Sequence, residues 1–320
     1  MKSYLGKLAI CLVVCAAAGF SFFGCGDDEK PLIGVVVHSF DDKFVSYLCD
    51  GFTKAVNETN KYRILISDSK KDVNKEGEHI NNLIAMGAKG IILHCVDANA
   101  CENYIKLCRE KKVPLVTTKP IYSQTPPDVN VGCSSYNAGV AEAEGVVKSM
   151  GTTGNVVILF GELGSEYTNE RTRGNKEVFA KYPGIKVVNE DTANWRRDQA
   201  MRIVENLSQS GVDFQAVVCN NDEMAIGAAL ALQGQGKDMK DYTIAGIDAT
   251  PDALQAIRDD LLDVTVFENP LTITKSAVDA VIALIDKKPV DKNVVVPSVM
   301  VDKSNVAETE KAWEALLKKK

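Results

Sequence analysis

The chain predicts an α/β fold of two similar doubly wound parallel-sheet lobes joined by a multi-strand hinge, and three observations carry this reading. Ile33 to Val37 is a short apolar run suited to a strand buried on both faces. It leads through a polar turn, Ser39 to Lys43, into a segment with Phe44, Leu48, Phe52 and Val56 at four-residue spacing, which is the apolar stripe of a helix. That strand, turn and helix unit then recurs, and after a proline-bearing loop at 119–130 the pattern starts afresh, so two lobes are written in series.

In the first series, YRILISD (62–68), GIILHCV (90–96) and VPLVTT (113–118) read as strands. Helices at 73–86 and 99–111 separate them, and Val129 to Val131 forms a short further strand. The second series begins with a helix at 135–149. Strands follow at 155–160, 185–190, in FQAVVCN ending at Asn220, in YTIAGID ending at Asp248, and at 263–268. Helices at 168–182, 197–209 and 222–235 alternate with them. A helix at 271–286, a late strand at 293–296 and a helical tail at 305–318 return to complete both halves. The expected division is 32–133 plus 269–296 for one lobe and 134–268 plus 297–320 for the other.

The chain has 320 residues, of which 45% are hydrophobic, enough to bury two cores. A net charge of -6 and a pI near 5.3 exclude a phosphate-binding surface for nucleic acid. At the amino end, Lys2 and Lys7 precede an apolar stretch from Leu8 to Phe23, and Gly24-Cys25 is followed by the polar run GDDEKP. This resembles a bacterial lipoprotein signal, so residues 1–24 are expected to be removed on export. Cys25 would be lipidated and 25–31 would act as a tether holding the protein to the membrane on the periplasmic side. Six further cysteines (Cys49, Cys95, Cys101, Cys108, Cys133, Cys219) stand singly, with no CxxC pair and no zinc-type spacing. They read as small buried thiols.

Candidate chemistry collects where strands end, the place at which open α/β sheets hold ligands. His38, Asp42 and Phe44 follow the first strand, Lys119 follows VPLVTT, and Ser165, Tyr167 and Arg171 follow NVVILF. Trp195 follows IKVVNE, while Asn221, Asp248 and Glu268 close the next three strands. Asp, Asn and Arg offer paired hydrogen-bonding atoms for vicinal hydroxyls, and aromatic faces cover the C–H side of a sugar ring. Each residue also has a structural reading: Asp42 and Asp248 as helix N-caps, Phe44 and Trp195 as packing residues, Arg171 as an ion-pair partner. Their joint occurrence at equivalent strand ends favours a carbohydrate site. The first turn lacks the glycines of a phosphate cradle, so a nucleotide is not expected.

VVHSFDDKF, VDANA (96–100), NERTRG (169–174), DTANW (191–195), NNDEMAIGA (220–228), GIDATPDAL (246–254) and VDKSN (301–305) together resemble the sugar-binding proteins of bacterial ABC importers. Their type I periplasmic binding fold would span residues 32 to 305, with the galactose/glucose branch most similar. The resemblance implies ligand roles for Asp42, Phe44, Arg171, Trp195, Asn221 and Asp248. His38, Lys119, Ser165, Tyr167 and Glu268 depart from the residues of the galactose/glucose branch at matching positions. SMGTTGN, before the strand at Asn155, lacks the alternating oxygen ligands of that branch's calcium loop, so no metal is expected.

The expected function is therefore capture of a neutral monosaccharide by hinge closure, galactose or glucose first, for delivery to an ABC permease. The alternatives are a ribose, other pentose or cyclitol binder, or a sugar-sensing module feeding a chemoreceptor. No cofactor is expected, and the protein is expected to be a monomer. An enzyme is disfavoured: the first strand is not followed by GxGxxG, and the three histidines, His38, His79 and His94, have no evident nucleophile beside them. A repressor sharing this fold would carry a DNA-binding headpiece where the export signal stands.

Overall fold

The computed structural model describes residues 30–118 and 125–317. Cys25 and Lys119 lie outside the described residues. The first series runs β1 (Leu32–Val37), α1 (Lys43–Thr59), β2 (Arg63–Asp68), α2 (Val73–Ala85), β3 (Gly90–His94), α3 (Ala98–Lys111), β4 (Leu115–Thr117) and β5 (Val129–Gly132). The second runs α4 (Ser135–Met150), β6 (Thr153–Phe160), α5 (Glu166–Phe179), β7 (Gly184–Thr192), α6 (Arg197–Gln209), β8 (Ala216–Cys219), α7 (Asp222–Gly234), β9 (Thr243–Ala245), α8 (Pro251–Arg258) and β10 (Thr265–Glu268). Then come α9 (Pro270–Ile285), β11 (Asn293–Val295), β12 (Ser298–Val301) and α10 (Val306–Leu317).

Two parallel sheets result, ordered β11-β5-β4-β3-β1-β2 and β7-β6-β8-β9. Burial follows position in the sheet. Every residue of the central strands β1 and β3 is buried, which is why they read as unbroken apolar runs, whereas the edge strands β2 and β7 carry partly exposed or alternating residues. Asp42, Asp72 and Asp97 cap α1, α2 and α3 through side-chain oxygens, and Pro251 and Pro270 open α8 and α9 at positions that need no N–H donor. The chain leaves the six-stranded sheet for the four-stranded one from β5 to β6, re-enters it from β10 to β11 and leaves it again from β11 to β12, with β10 and β12 forming a separate pair.

Several elements differ from the sequence reading. β9 stops at Ala245 and not at Asp248. Residues beyond it meet β10 through the bridge of Asp248 to Phe267 and the Ala249 N–H donating to Thr265 Oγ1, and Asp248 and Ala249 turn into the left-handed region with φ of 120° and 48°. β3 ends at His94, two residues short of the expected end. β12 was not anticipated and runs antiparallel to β10. The six cysteines are free thiols, and burial pushes Cys49 and Cys108 up to about 12.

Candidate functional site

The carboxyl ends of β1, β3, β6, β7, β8, β9 and β10 converge on one cavity enclosing about 600 Å³ of empty space, open solvent at its mouth included. It is lined by ten of the eleven ligand residues read from the sequence, all but Lys119: His38, Asp42, Phe44, Ser165, Tyr167, Arg171, Trp195, Asn221, Asp248 and Glu268. Val45, His94, Val96 and Glu162 complete the lining. His94 was missed because the sequence places it inside a strand running to Val96. With β3 ending at His94, it occupies the same kind of position as the other site residues.

Arg171 is the centre of the site. It sits one turn into α5, where its guanidinium donates to the backbone carbonyl of Asn220 at 2.6 Å and to Glu268 Oε2 at 2.8 Å, with Asp248 Oδ1 3.6 Å away. All three charged side chains are buried, at 4%, 3% and 5% exposure, so the attraction is little screened by water. Burial alone would lower the guanidinium pKa, yet Glu268 and Asp248 raise it above its ordinary value, and the charge is permanent. One guanidinium cannot fully satisfy two carboxylates. Burial pushes the Asp248 carboxyl well above its usual range; Arg171 pulls it down, while Asp222, Glu268 and Asp42 repel its charge.

Asp42 is tuned the other way. Burial works to raise its pKa, but the His38 imidazole, with Nε2 3.7 Å from Oδ2, and the Val45 N–H donating to Oδ1 at 3.1 Å outweigh it, and the carboxyl is held at about 2. Asp42 is thus both an N-cap and a pocket residue, as is Asn221, which accepts from Met224 N–H at 3.1 Å and donates to the Trp195 carbonyl at 3.4 Å. Asp248 caps nothing; Thr250 caps α8.

Rings surround the charges. The Arg171 guanidinium lies 5.2 Å from the Tyr167 ring centre and 6.0 Å from that of Trp195, and the Tyr167 ring stacks against His94 across the cleft at 6.1 Å. His94 in turn lies 5.3 Å from His38 and shares a hydrogen bond of 3.0 Å between Nδ1 and Thr118 Oγ1. A second contact across the cleft is the ion pair of Lys71 and Glu162. Buried polar atoms without a protein partner include His38 Nδ1, Arg171 Nε and Glu268 Oε1, so donors and acceptors remain for a hydroxylated ligand.

Trp195 is positioned by a glycine. A Cβ at Gly161 would stand 2.0 Å from Trp195 Cζ2, so only a residue without a side chain lets the indole lie there. Gly161→Ala is expected to displace the ring and weaken ligand binding about tenfold, roughly 1.4 kcal/mol, with a shift in tryptophan emission. Calorimetry that finds unchanged affinity would remove Trp195 from the site wall.

Residues 33–289 match the family model of the periplasmic binding protein domain. A Rhizobium meliloti protein provisionally named for rhizopine binding is 33% identical over 314 residues, covering 96% of this chain and 98% of that protein. A ribose import binding protein of Bacillus subtilis is 28% identical, covering 85% and 87%. Among solved structures, an ABC transporter solute binding protein from Bacillus halodurans with bound myo-inositol is 32% identical at a TM-score of 0.84, covering 90% of this chain and all of that one.

Proposed function

The chain belongs to the periplasmic binding protein family as a sugar-binding protein of the ABC-importer type, and from that premise we propose that its ligand is a neutral cyclitol or pentose, with myo-inositol the first candidate. It is a solute-binding protein and not an enzyme, as its relatives are. The preference for galactose or glucose is replaced, because the similar proteins are named for rhizopine and ribose or hold myo-inositol. The observation that carries the reading is the buried group of Arg171, Glu268 and Asp248 in a fold shared with the myo-inositol-bound structure. A ring bearing a hydroxyl on each carbon can accept from the guanidinium and donate to both carboxylates, while the C–H edges meet Trp195 and Phe44.

In this reading Asp42, His38 and Phe44 grip the ligand from one lobe, and Arg171, Trp195, Asn221, Asp248 and Glu268 from the other. Ser165 and Tyr167 line the wall. The lobes divide at 133–134, 268–269 and 296–297, close on the ligand about those crossings, and present the closed form to a membrane permease. Export with lipid on Cys25 would keep the protein beside that permease. Calorimetry with myo-inositol, D-ribose, D-galactose and D-glucose tests the ligand. Myo-inositol or ribose is expected to bind about a hundredfold more tightly than either hexose, since a site built to pair with given hydroxyls strongly rejects a misplaced set. Tightest binding by galactose or glucose would overturn the reading.

A further inference from the structure

We infer that Trp313, near the carboxyl end of the chain, is a positioning residue for Asp248, which makes the C-terminal helix part of the ligand site. The inference rests on the polyol-binding reading above for its functional consequence, but its structural basis is separate. Asp248 and Ala249 are consecutive residues other than glycine with φ of 120° and 48°. Such conformations persist only where the surroundings over-determine them.

Each backbone N–H of this turn is tied. The Asp248 N–H donates to the Val266 carbonyl at 2.8 Å, the Ala249 N–H to Thr265 Oγ1 at 3.1 Å, and the Thr250 N–H to Asp222 Oδ2 at 2.7 Å. Those three ties come from β10 and α7. The Ala249 carbonyl is held from elsewhere: Trp313 Nε1 on α10 donates to it at 2.7 Å. Ala249 is fully buried and the indole 3% exposed, so no water can replace that bond without local opening. The same indole meets the Tyr47 ring edge-on at 4.6 Å, and Tyr47 lies on α1, the helix that Asp42 caps. Trp313 thus stands between the turn that aims Asp248 and the helix that carries Asp42.

Trp313→Phe keeps an aromatic ring on α10 and removes the donor together with the second ring of the indole. In the full-length protein without ligand, hydrogen exchange of the 248–250 amides is expected to speed up about tenfold, while amides of the six-stranded sheet are unchanged. Myo-inositol affinity is expected to fall about tenfold, and Tyr47→Phe is expected to leave the exchange as it was. A purely structural role would raise exchange throughout instead. In the unchanged protein the Trp313 indole proton should exchange together with the 248–250 amides, a readout that needs no variant to fold. Unchanged exchange in Trp313→Phe, loosening with no loss of affinity, or an indole proton that exchanges freely while those amides stay protected overturns the inference. If the unchanged protein does not bind myo-inositol, the ligand proposed above fails, and the exchange measurements still decide the role of Trp313.

Discussion

Arg171→Ala is expected to cost about 3 to 5 kcal/mol of stability and to abolish ligand binding. The cost does not come from the lost attraction alone. Glu268 and Asp248 are both almost fully buried, and removing the guanidinium leaves two carboxylates facing each other with no cation among the described residues of the cavity wall. For a chain of this size the melting temperature should fall by about 5 to 8 °C. Adding Glu268→Gln should restore a substantial part of it, because the repulsion disappears with the charge. Calorimetry of the single and double variants is the test; a loss below about 1 kcal/mol would mean that water reaches the pair and the site is more open than the structure indicates.

The second large effect lies beneath the site and is read through pH. Glu142 on α4 is fully buried, accepting from Asn175 Nδ2 at 2.8 Å through Oε2, while Oε1 and Asn175 Oδ1 have no partner. Burial pushes its carboxyl up to about 8; the hydrogen bond from Asn175 and the charge of Arg171 only moderate the rise. The folded state therefore holds a proton that the unfolded chain, titrating near about 4.3, releases. This stabilising contribution is fully present below the unfolded value and is lost as pH rises through about 8. Glu142→Gln should leave stability nearly unchanged at about pH 5 and raise it by a few kcal/mol at about pH 9, on the order of the free energy of a shift this size. Urea unfolding at both pH values checks this. An equal effect of the substitution at the two would show that Glu142 is not protonated in the folded protein.

The chain by itself determined the strand and helix order and the parallel sheets, because buried central strands such as Ile33–Val37 and the helical stripe from Phe44 to Val56 need no long-range information to be recognised. It also brought out most of the cavity wall, since in this architecture a polar residue just after a strand falls on the ligand side. Boundaries were less legible. Thr243–Asp248 looks like a continuous strand, yet β9 stops at Ala245, and the chain just past Asp248 is held away by ties of Ala249 and Thr250 to Thr265, Asp222 and Trp313, which lie up to sixty-four residues away. The ending of β3 at His94, and so the place of that histidine in the cavity, depends likewise on its pairing with β1, whose last pair is Val37 with His94.

Only the tertiary structure decided which charges share a partner. Nothing in the spacing of Arg171, Asp248 and Glu268 says that one guanidinium serves both carboxylates, nor that the same burial which strengthens that attraction raises the cost of each unpaired charge. Asp42 and Asp248 are the same residue type at similar strand ends. One is held at about 2 by an imidazole and a helix N-terminus, and the other is driven well above its usual value by burial among carboxylates, a difference that neighbours distant in sequence create.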